Sequence, residues 1–431
     1  MLSNSASTDV LFNEVPLTPD FYPYDWNPIT AADLRDGFVH VAWGDGSSLA
    51  CYALWLAECS PGFGIEPSSR EGVIEPSDLP DATDLIKSTV SDHGALVLWW
   101  ASRSEPTVIH PGWLRHVADN RFRPGSYIPQ RQRWTAADFA EPPTIDAAHI
   151  LEDDELFRSW LTALARFGLA RLRNAPTTED FLETLIQRVG PIRGSNFGKI
   201  FDVRSNPNPN STAYTTFNLG QHTDLPTRET PPGFQFLHCI RNEVDGGWSR
   251  MTDGLAVTEE LRTNYPDDFA ALTTLNWVFF NRQRTEDHRW EGPLIDFGGP
   301  GQPLTLRAFY PVRGFPAMDS ADVPRAYAAM KRFSAIAHDP RFQIRFPFEA
   351  GDIVGFDNRV GLHGRDAFEA GGGVRHLRGC YLDHDELYSR LRVMNHRVEA
   401  VNHFVPSSVD GKHVDHVTSP QADVERIRPL R

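Results

Sequence analysis

Hydrophobic positions along the chain change texture twice. From Gly37 to Ala50 the run GFVHVAWGDGSSLA alternates apolar and polar residues around a Gly-Asp-Gly turn, the pattern of a β-hairpin. Residues 95–114, ALVLWWASRSEPTVIHPGWL, predict a second strand pair that turns into a short helix. Residues 31–121 are therefore expected to form a small β-rich domain, preceded by an irregular Pro- and Ser-rich stretch over 1–30. The following segment, 122–146, contains four prolines and few apolar residues, which predicts a linker. Apolar residues then recur at helical spacing in DDELFRSWLTALARFG (153–168), which stops at Gly168. LARLRNAP predicts a short strand ended by proline. TTEDFLETLIQRVGPI opens on threonine with an acidic first turn and predicts a second helix.

After Gly190 short apolar runs alternate with turn residues, and helical spacing returns only at 255–264 and 322–337. A mainly β domain with flanking helices follows, of sandwich or jelly-roll type, over 147–400, with a tail at 401–431. No internal repeat interrupts this pattern.

Composition narrows the classes. The chain has 431 residues, 40% hydrophobic and 23% charged, enough for a large domain plus a smaller one. No apolar run reaches the ~18 residues of a spanning helix, and the first residues lack the basic and apolar regions of a secretory signal. The four cysteines, Cys51, Cys59, Cys239 and Cys380, are scattered, which predicts reduced thiols and a cytoplasmic location. A formal net charge of -15 disfavours nucleic acid and anionic membranes as partners and is compatible with a cationic small-molecule substrate.

Candidate chemistry begins at His222-Thr223-Asp224. On a strand or its edge, residues two apart point to one face, so imidazole and carboxylate can aim at one ion. His363 ends an apolar, strand-like stretch and supplies a third ligand. Two histidines and one carboxylate make the facial triad of non-haem Fe(II) oxygenases, with open positions left for co-substrate and dioxygen. The pair by itself fits a hydrogen-bonded loop histidine or a zinc hydrolase equally well. Two further features favour iron. Arg375 lies twelve residues past His363, where a guanidinium can hold a distal carboxylate by paired hydrogen bonds. Ser249 follows the Gly246-Gly247 turn and can assist it. Arginine and hydroxyl facing an open iron suit a dicarboxylic 2-oxoacid.

His222-Thr-Asp224, Gly246-Gly247 with Ser249, His363-Gly-Arg365 and Arg375 together resemble the TauD-like Fe(II)/2-oxoglutarate dioxygenases. Within them, VHVAWGDGSSLA, VGPIRGSNFGKIFDV, AYTT, PPGFQFLHC, FDN, FEAGGG and RHLRGCYLD resemble the gamma-butyrobetaine and trimethyllysine dioxygenase branch, over roughly residues 36–395. The resemblance implies a double-stranded β-helix catalytic domain, a β-rich N-terminal domain and a homodimer. It also implies hydroxylation coupled to conversion of 2-oxoglutarate and O2 to succinate and carbon dioxide, with ascorbate as a stimulant.

The chain departs from that branch at two places. The branch's N-terminal zinc site uses three cysteines and a histidine; here LWLAECSPGFGI keeps Cys59 and puts Pro61 and Gly64 at the other thiolate positions. One cysteine cannot close a tetrahedral thiolate site, so no structural zinc is expected, and Trp55, Trp99, Trp100 and Trp113 are expected to pack the domain instead. The resemblance further implies an aromatic cage of Phe197, Phe201, Tyr214 and Tyr381 for a trimethylammonium group. The amides expected to hold the substrate carboxylate are replaced, one by Ser211 and the other near Phe309 and Tyr310, and Asn218 stands where the branch has lysine. Arg307 or Arg313 is the expected substitute. The substrate implied is gamma-butyrobetaine or a related quaternary ammonium compound. The competing readings are the same chemistry on another small molecule and, outside the class, a zinc hydrolase or binding module.

Overall fold

The computed structural model describes residues 15–204, 216–281, 285–298, 304–369 and 373–399. The chain divides into two compact units, Tyr127–Met394 and Met1–Ser126 together with Asn395–Arg431.

The smaller unit carries two three-stranded antiparallel sheets. One is Ile29–Arg35, Phe38–Trp43 and Ser48–Tyr52; the other is Leu85–Val90, Leu96–Trp100 and Thr107–Ile109. The expected hairpin and strand pair are both present, as is the short helix, Pro111–Ala118. The strand Ile29–Arg35 was not expected. Its outer positions are polar or small, and its pairing is set by the two-residue Asp36-Gly37 turn, where both φ angles are positive (50° and 77°), the geometry that matches the twist of a hairpin. Trp100 and Trp113 are buried in this unit's core, with Trp55 packed against it.

In the larger unit, a six-stranded sheet runs in the order Thr144–Asp146, Leu169–Arg173, Ile353–Asp357, Phe234–Asn242, Arg375–Leu382, Ile200–Arg204. A four-stranded sheet runs Leu219–His222, Gly361–Arg365, Ser249–Asp253, Gln343–Phe346. From Leu219 to Asp253, and again from Gln343 to Leu382, successive strands alternate between the sheets, the winding of a jelly roll. Leu169, Met251, Ile344, Phe346, Val354 and Leu377 form part of one buried cluster drawn from both sheets. Helices Asp154–Phe167 and Phe181–Val189 cover the six-stranded sheet through Trp160, Leu161, Leu164, Leu182 and Leu185 against Phe234, Phe236 and Ile353.

Several local expectations shift. Helix Asp154–Phe167 is capped by the Asp153 side chain and ends at Gly168 as the spacing predicts. The next helix starts at Phe181 rather than at the threonines, because the Thr178 hydroxyl is engaged with the Asp180 carboxylate. The segment expected as a linker is built into the larger unit: Trp134 is buried, donates to the Phe167 carbonyl at 2.9 Å, and Thr144–Asp146 pairs parallel with Leu169–Arg173. Extended, proline-bearing chain can join a sheet at its edge, and the composition that reads as a linker reads equally as such a strand. Helices Gly254–Asn264 and Val323–Ala337 match the spacing, whereas Pro266–Thr274 and His384–Glu399 were missed. Among the described residues no helix is long and apolar enough to cross a membrane.

Candidate active site

His222 is the last residue of its strand and lies directly opposite His363 in the antiparallel pair. Their rings sit 4.0 Å apart between centroids. Thr223 points away and anchors the segment, donating from Oγ1 to the Leu306 carbonyl at 2.8 Å. Asp224 therefore returns to the same side as His222. Its Oδ1 is 3.3 Å from His222 Nε2 and 3.8 Å from His363 Nε2. One ligand atom from each residue lies within 4.8 Å of the others.

Surrounding groups aim these atoms. His222 Nδ1 lies 2.8 Å from the Gly220 carbonyl, so it carries the proton and leaves the Nε2 lone pair for a cation. Tyr381 donates its hydroxyl to Asp224 Oδ2 at 2.8 Å, which leaves Oδ1 for the ion. Asn358 grips the Asp224 backbone at both ends, accepting from its N–H at 2.7 Å and donating to its carbonyl at 3.1 Å. Burial alone would raise the Asp224 pKa, but hydrogen bonding to His222, the nearby imidazole of His363 and the Tyr381 hydroxyl together hold it well below the usual carboxylate range. Burial, reinforced by His222, pushes His363 down to about 3. The cluster thus offers two imidazole nitrogens and one carboxylate oxygen, the donor set that fits Fe(II).

The cluster opens into a cavity of about 300 Å³. At one end Arg375 is buried, and among the described residues its guanidinium has no acceptor; its Nε is buried without a partner. Burial lowers its pKa to about 10. Arg365 lies beside it, and Phe368 sits against both guanidiniums, 4.8 Å from Arg365 and 5.7 Å from Arg375. The Gly246-Gly247 turn explains this packing: both φ angles are positive (87° and 61°), and a Cβ on Gly246 would come within 3.0 Å of the Ala367 carbonyl oxygen. Ser249 lines the same cavity, in register with Arg365; no hydrogen bond joins it to Arg375. A buried arginine with no protein acceptor fits an anionic ligand group.

On another wall Phe197, Phe201 and Tyr381 stand in sequence, with centroids 6.1 and 5.1 Å apart. Tyr214 and Ser211, also expected at the substrate, lie outside the described residues. Neither arginine expected to replace the amides reaches the cavity. Arg307 donates to the carbonyls of Pro226 and Arg228 at 2.7 Å and of Glu229 at 3.0 Å, and lies over the Trp290 ring at 4.2 Å. It clamps the loop that follows Asp224. Arg313 lies over Trp277, and Tyr310 is half exposed, while Phe309 stacks on His222 at 4.7 Å. Asn218, in place of lysine, accepts from Arg250 at 2.5 Å. Sequence reading missed the roles of Asn358 and Arg365, although FDN and LHGR stood among the matching text.

The branch's N-terminal zinc does not fit the residues here. At Gly64, one of the former thiolate positions, a Cβ would come within 2.1 Å of the Ala57 carbonyl oxygen, so no cysteine side chain has room.

Residues 130–381 match the family model of the taurine catabolism dioxygenase TauD, TfdA family. The chain belongs to this family. It is therefore an Fe(II)- and 2-oxoglutarate-dependent dioxygenase acting on a small molecule. Among curated relatives it is 37% identical to the gamma-butyrobetaine dioxygenase of Pseudomonas sp. (strain AK-1), over 85% of this chain and 96% of that one. It is 29% identical to the human gamma-butyrobetaine dioxygenase, over 87% of this chain and 99% of that one. It is 30% identical to dioxygenase str8 of Strobilurus tenacellus, over 79% and 84%. The solved structure of PvcB, an Fe, alpha-ketoglutarate dependent oxygenase from an isonitrile synthetic pathway, aligns at TM-score 0.43 and 21% identity, over 59% of this chain and 90% of that one.

Proposed function

We propose that this enzyme hydroxylates an unactivated C–H bond of a small quaternary ammonium compound, with gamma-butyrobetaine the first candidate. The observation that carries the reading is the row of Phe197, Phe201 and Tyr381 rings in the same cavity as the His222–Asp224–His363 cluster. Aromatic faces attract a trimethylammonium group without needing a hydrogen bond, which that group cannot make. Similarity to gamma-butyrobetaine dioxygenases over most of the chain supports it.

In this reading His222, Asp224 and His363 hold ferrous iron, and Arg375, with Ser249 near it, takes the distal carboxylate of 2-oxoglutarate. With O2, the bound metal and co-substrate supply the oxidising chemistry that ends in succinate, carbon dioxide and a hydroxylated product. The chain's own residues position and exclude. Tyr381 and Asn358 keep Asp224 aimed, Phe309 and Phe356 wall the imidazoles off from water, and the cage sets which carbon faces the metal. The Cys59 region is proposed to fold without zinc, and the enzyme to act as a cytoplasmic homodimer; metal analysis should find iron and no stoichiometric zinc.

A second reading keeps the chemistry and changes the substrate. It is favoured by the engagement of Arg307 with backbone and of Arg313 with Trp277, which leaves neither to meet a substrate carboxylate. A pocket that loses a hydrogen-bonding partner changes which ligands it accepts. The deciding experiment is succinate release with gamma-butyrobetaine against a panel of methylated amines and amino acids. Strong stimulation by gamma-butyrobetaine supports the first reading. Stimulation only by another member supports the second.

A further inference from the structure

One wall of the cavity carries a polar group that the site as described does not use. Gln235, on the strand Phe234–Asn242, is buried, lines the cavity, and has an Oε1 with no partner. Among the described residues its side chain makes no hydrogen bond. Its surroundings on the six-stranded sheet are apolar: Val203, Leu237, Val354, Phe356 and Leu377 line the same cavity. The sealed end is the oxygen, which leaves the carboxamide N–H groups as the end able to donate to a ligand in the cavity.

The register shows which ligand. Gln235 pairs with Tyr381 on one side and with Phe356 on the other. Residues directly opposite in a sheet share a face. Tyr381 bonds Asp224 Oδ2 at 2.8 Å, and the Phe356 ring lies 4.7 Å from that of His363. Gln235 therefore sits between the two groups that touch two of the metal-cluster residues. Arg375 lies on the same strand as Tyr381, six residues away, or about 20 Å along it. Both side chains line the cavity, Gln235 beside the groups that touch the metal cluster and Arg375 further along the same sheet. A quaternary ammonium group offers no acceptor to an amide, whereas a carboxylate in a dry cavity is a strong one; a Kd for 2-oxoglutarate read apart from the substrate KM distinguishes the co-substrate's carboxylate from the substrate's.

We propose that Gln235 is a further co-substrate contact, donating a hydrogen bond from its carboxamide to the C1 carboxylate of 2-oxoglutarate at the metal-chelating end. A half-turn of the amide about its last torsion presents either end, so the buried oxygen does not prevent donation. The inference rests on the Fe(II)/2-oxoglutarate reading of the cavity and adds a second fixed point to the one at Arg375.

The test is anaerobic titration of the Fe(II)-loaded enzyme with 2-oxoglutarate, following the visible charge-transfer band in wild type, Gln235→Leu and Gln235→Glu. Wild type should bind with a clear band. Gln235→Leu should raise the Kd about tenfold or more and shift the band maximum, and Gln235→Glu should weaken binding further by charge repulsion. A Kd within twofold of wild type in a folded Gln235→Leu protein overturns the proposal, as does a change confined to the substrate KM. Should Gln235→Leu fail to fold, Gln235→Met, of similar length and without donors, carries the same expectation. No band in wild type would instead sink the underlying reading of the cavity, an outcome distinct from loss of Gln235's role.

Discussion

Arg307 and Arg375 are both almost wholly buried, and burial lowers the pKa of each to about 10. Their surroundings could hardly differ more. Arg307 donates to three backbone carbonyls of the loop 226–229 and stacks on Trp290. Arg375 faces a cavity, and no protein acceptor meets it among the described residues. A buried cation is tolerable when something compensates it. At Arg307 the compensation is the fold itself; at Arg375 it is left to a ligand. The contrast separates side chains that build the protein from side chains that work for it, and residue type alone does not make that separation.

The largest expected effect lies at the metal cluster. Asp224→Ala should remove succinate formation and product below detection, a loss of at least about a thousandfold, with the fold kept by circular dichroism. Wild-type succinate formation by that variant would show the cluster is not the metal site. The two arginines come next and should diverge. Arg307→Ala strands three carbonyls, that of Pro226 buried and those of Arg228 and Glu229 nearer the surface, and leaves a cavity beside Trp290, so it should cost about 2–4 kcal/mol in denaturant unfolding. Arg375→Ala removes a buried charge that the protein does not pair, so stability should hold or rise, while the 2-oxoglutarate KM rises about a hundredfold. The reverse pattern would break the comparison.

Tyr381→Phe sharpens it further, because this side chain serves both purposes. Its ring belongs to the aromatic row and its hydroxyl to Asp224. Removing the hydroxyl should weaken Fe(II) binding about tenfold and leave the substrate KM nearly unchanged. The smallest effect lies three residues from Gln235, at His238, where burial holds the imidazole down at about 4. Above about pH 6.5 it is neutral in both folded and unfolded chain and contributes nothing. As pH falls toward 4 the unfolded chain takes up a proton that the folded one refuses, and stability drops. His238→Leu should shrink the loss between pH 7 and pH 5 by about 2 kcal/mol, read from unfolding midpoints at the two pH values.

Much of the site was legible because it is written locally. His222 and Asp224 stand two apart, and strand geometry alone puts them on one face. His363 and Arg375 sit on neighbouring apolar runs with turn residues between. The Gly246-Gly247 pair announces a turn that only glycine takes comfortably. Illegible were the groups whose role depends on a partner far along the chain. Asn358 reaches Asp224 across 134 positions, and Tyr381 reaches it across 157. The linker reading of 122–146 missed Trp134 for the same reason: its burial is conferred by Phe167 and Asp253, not by its neighbours in sequence.

The amino-acid order by itself determined which ligand types are available, which face of each strand they take, and that an arginine accompanies two imidazoles and a carboxylate. The tertiary structure alone decided which buried arginine is spent on backbone, which hydroxyl steadies Asp224, and which carboxamide is left in the cavity without a protein partner. Alternation along a strand is a property of the chain, set every two residues. Compensation of a buried polar group is a property of the packed interior, where its partner arrives from any distance in sequence or, as proposed for Arg375 and Gln235, from outside the protein.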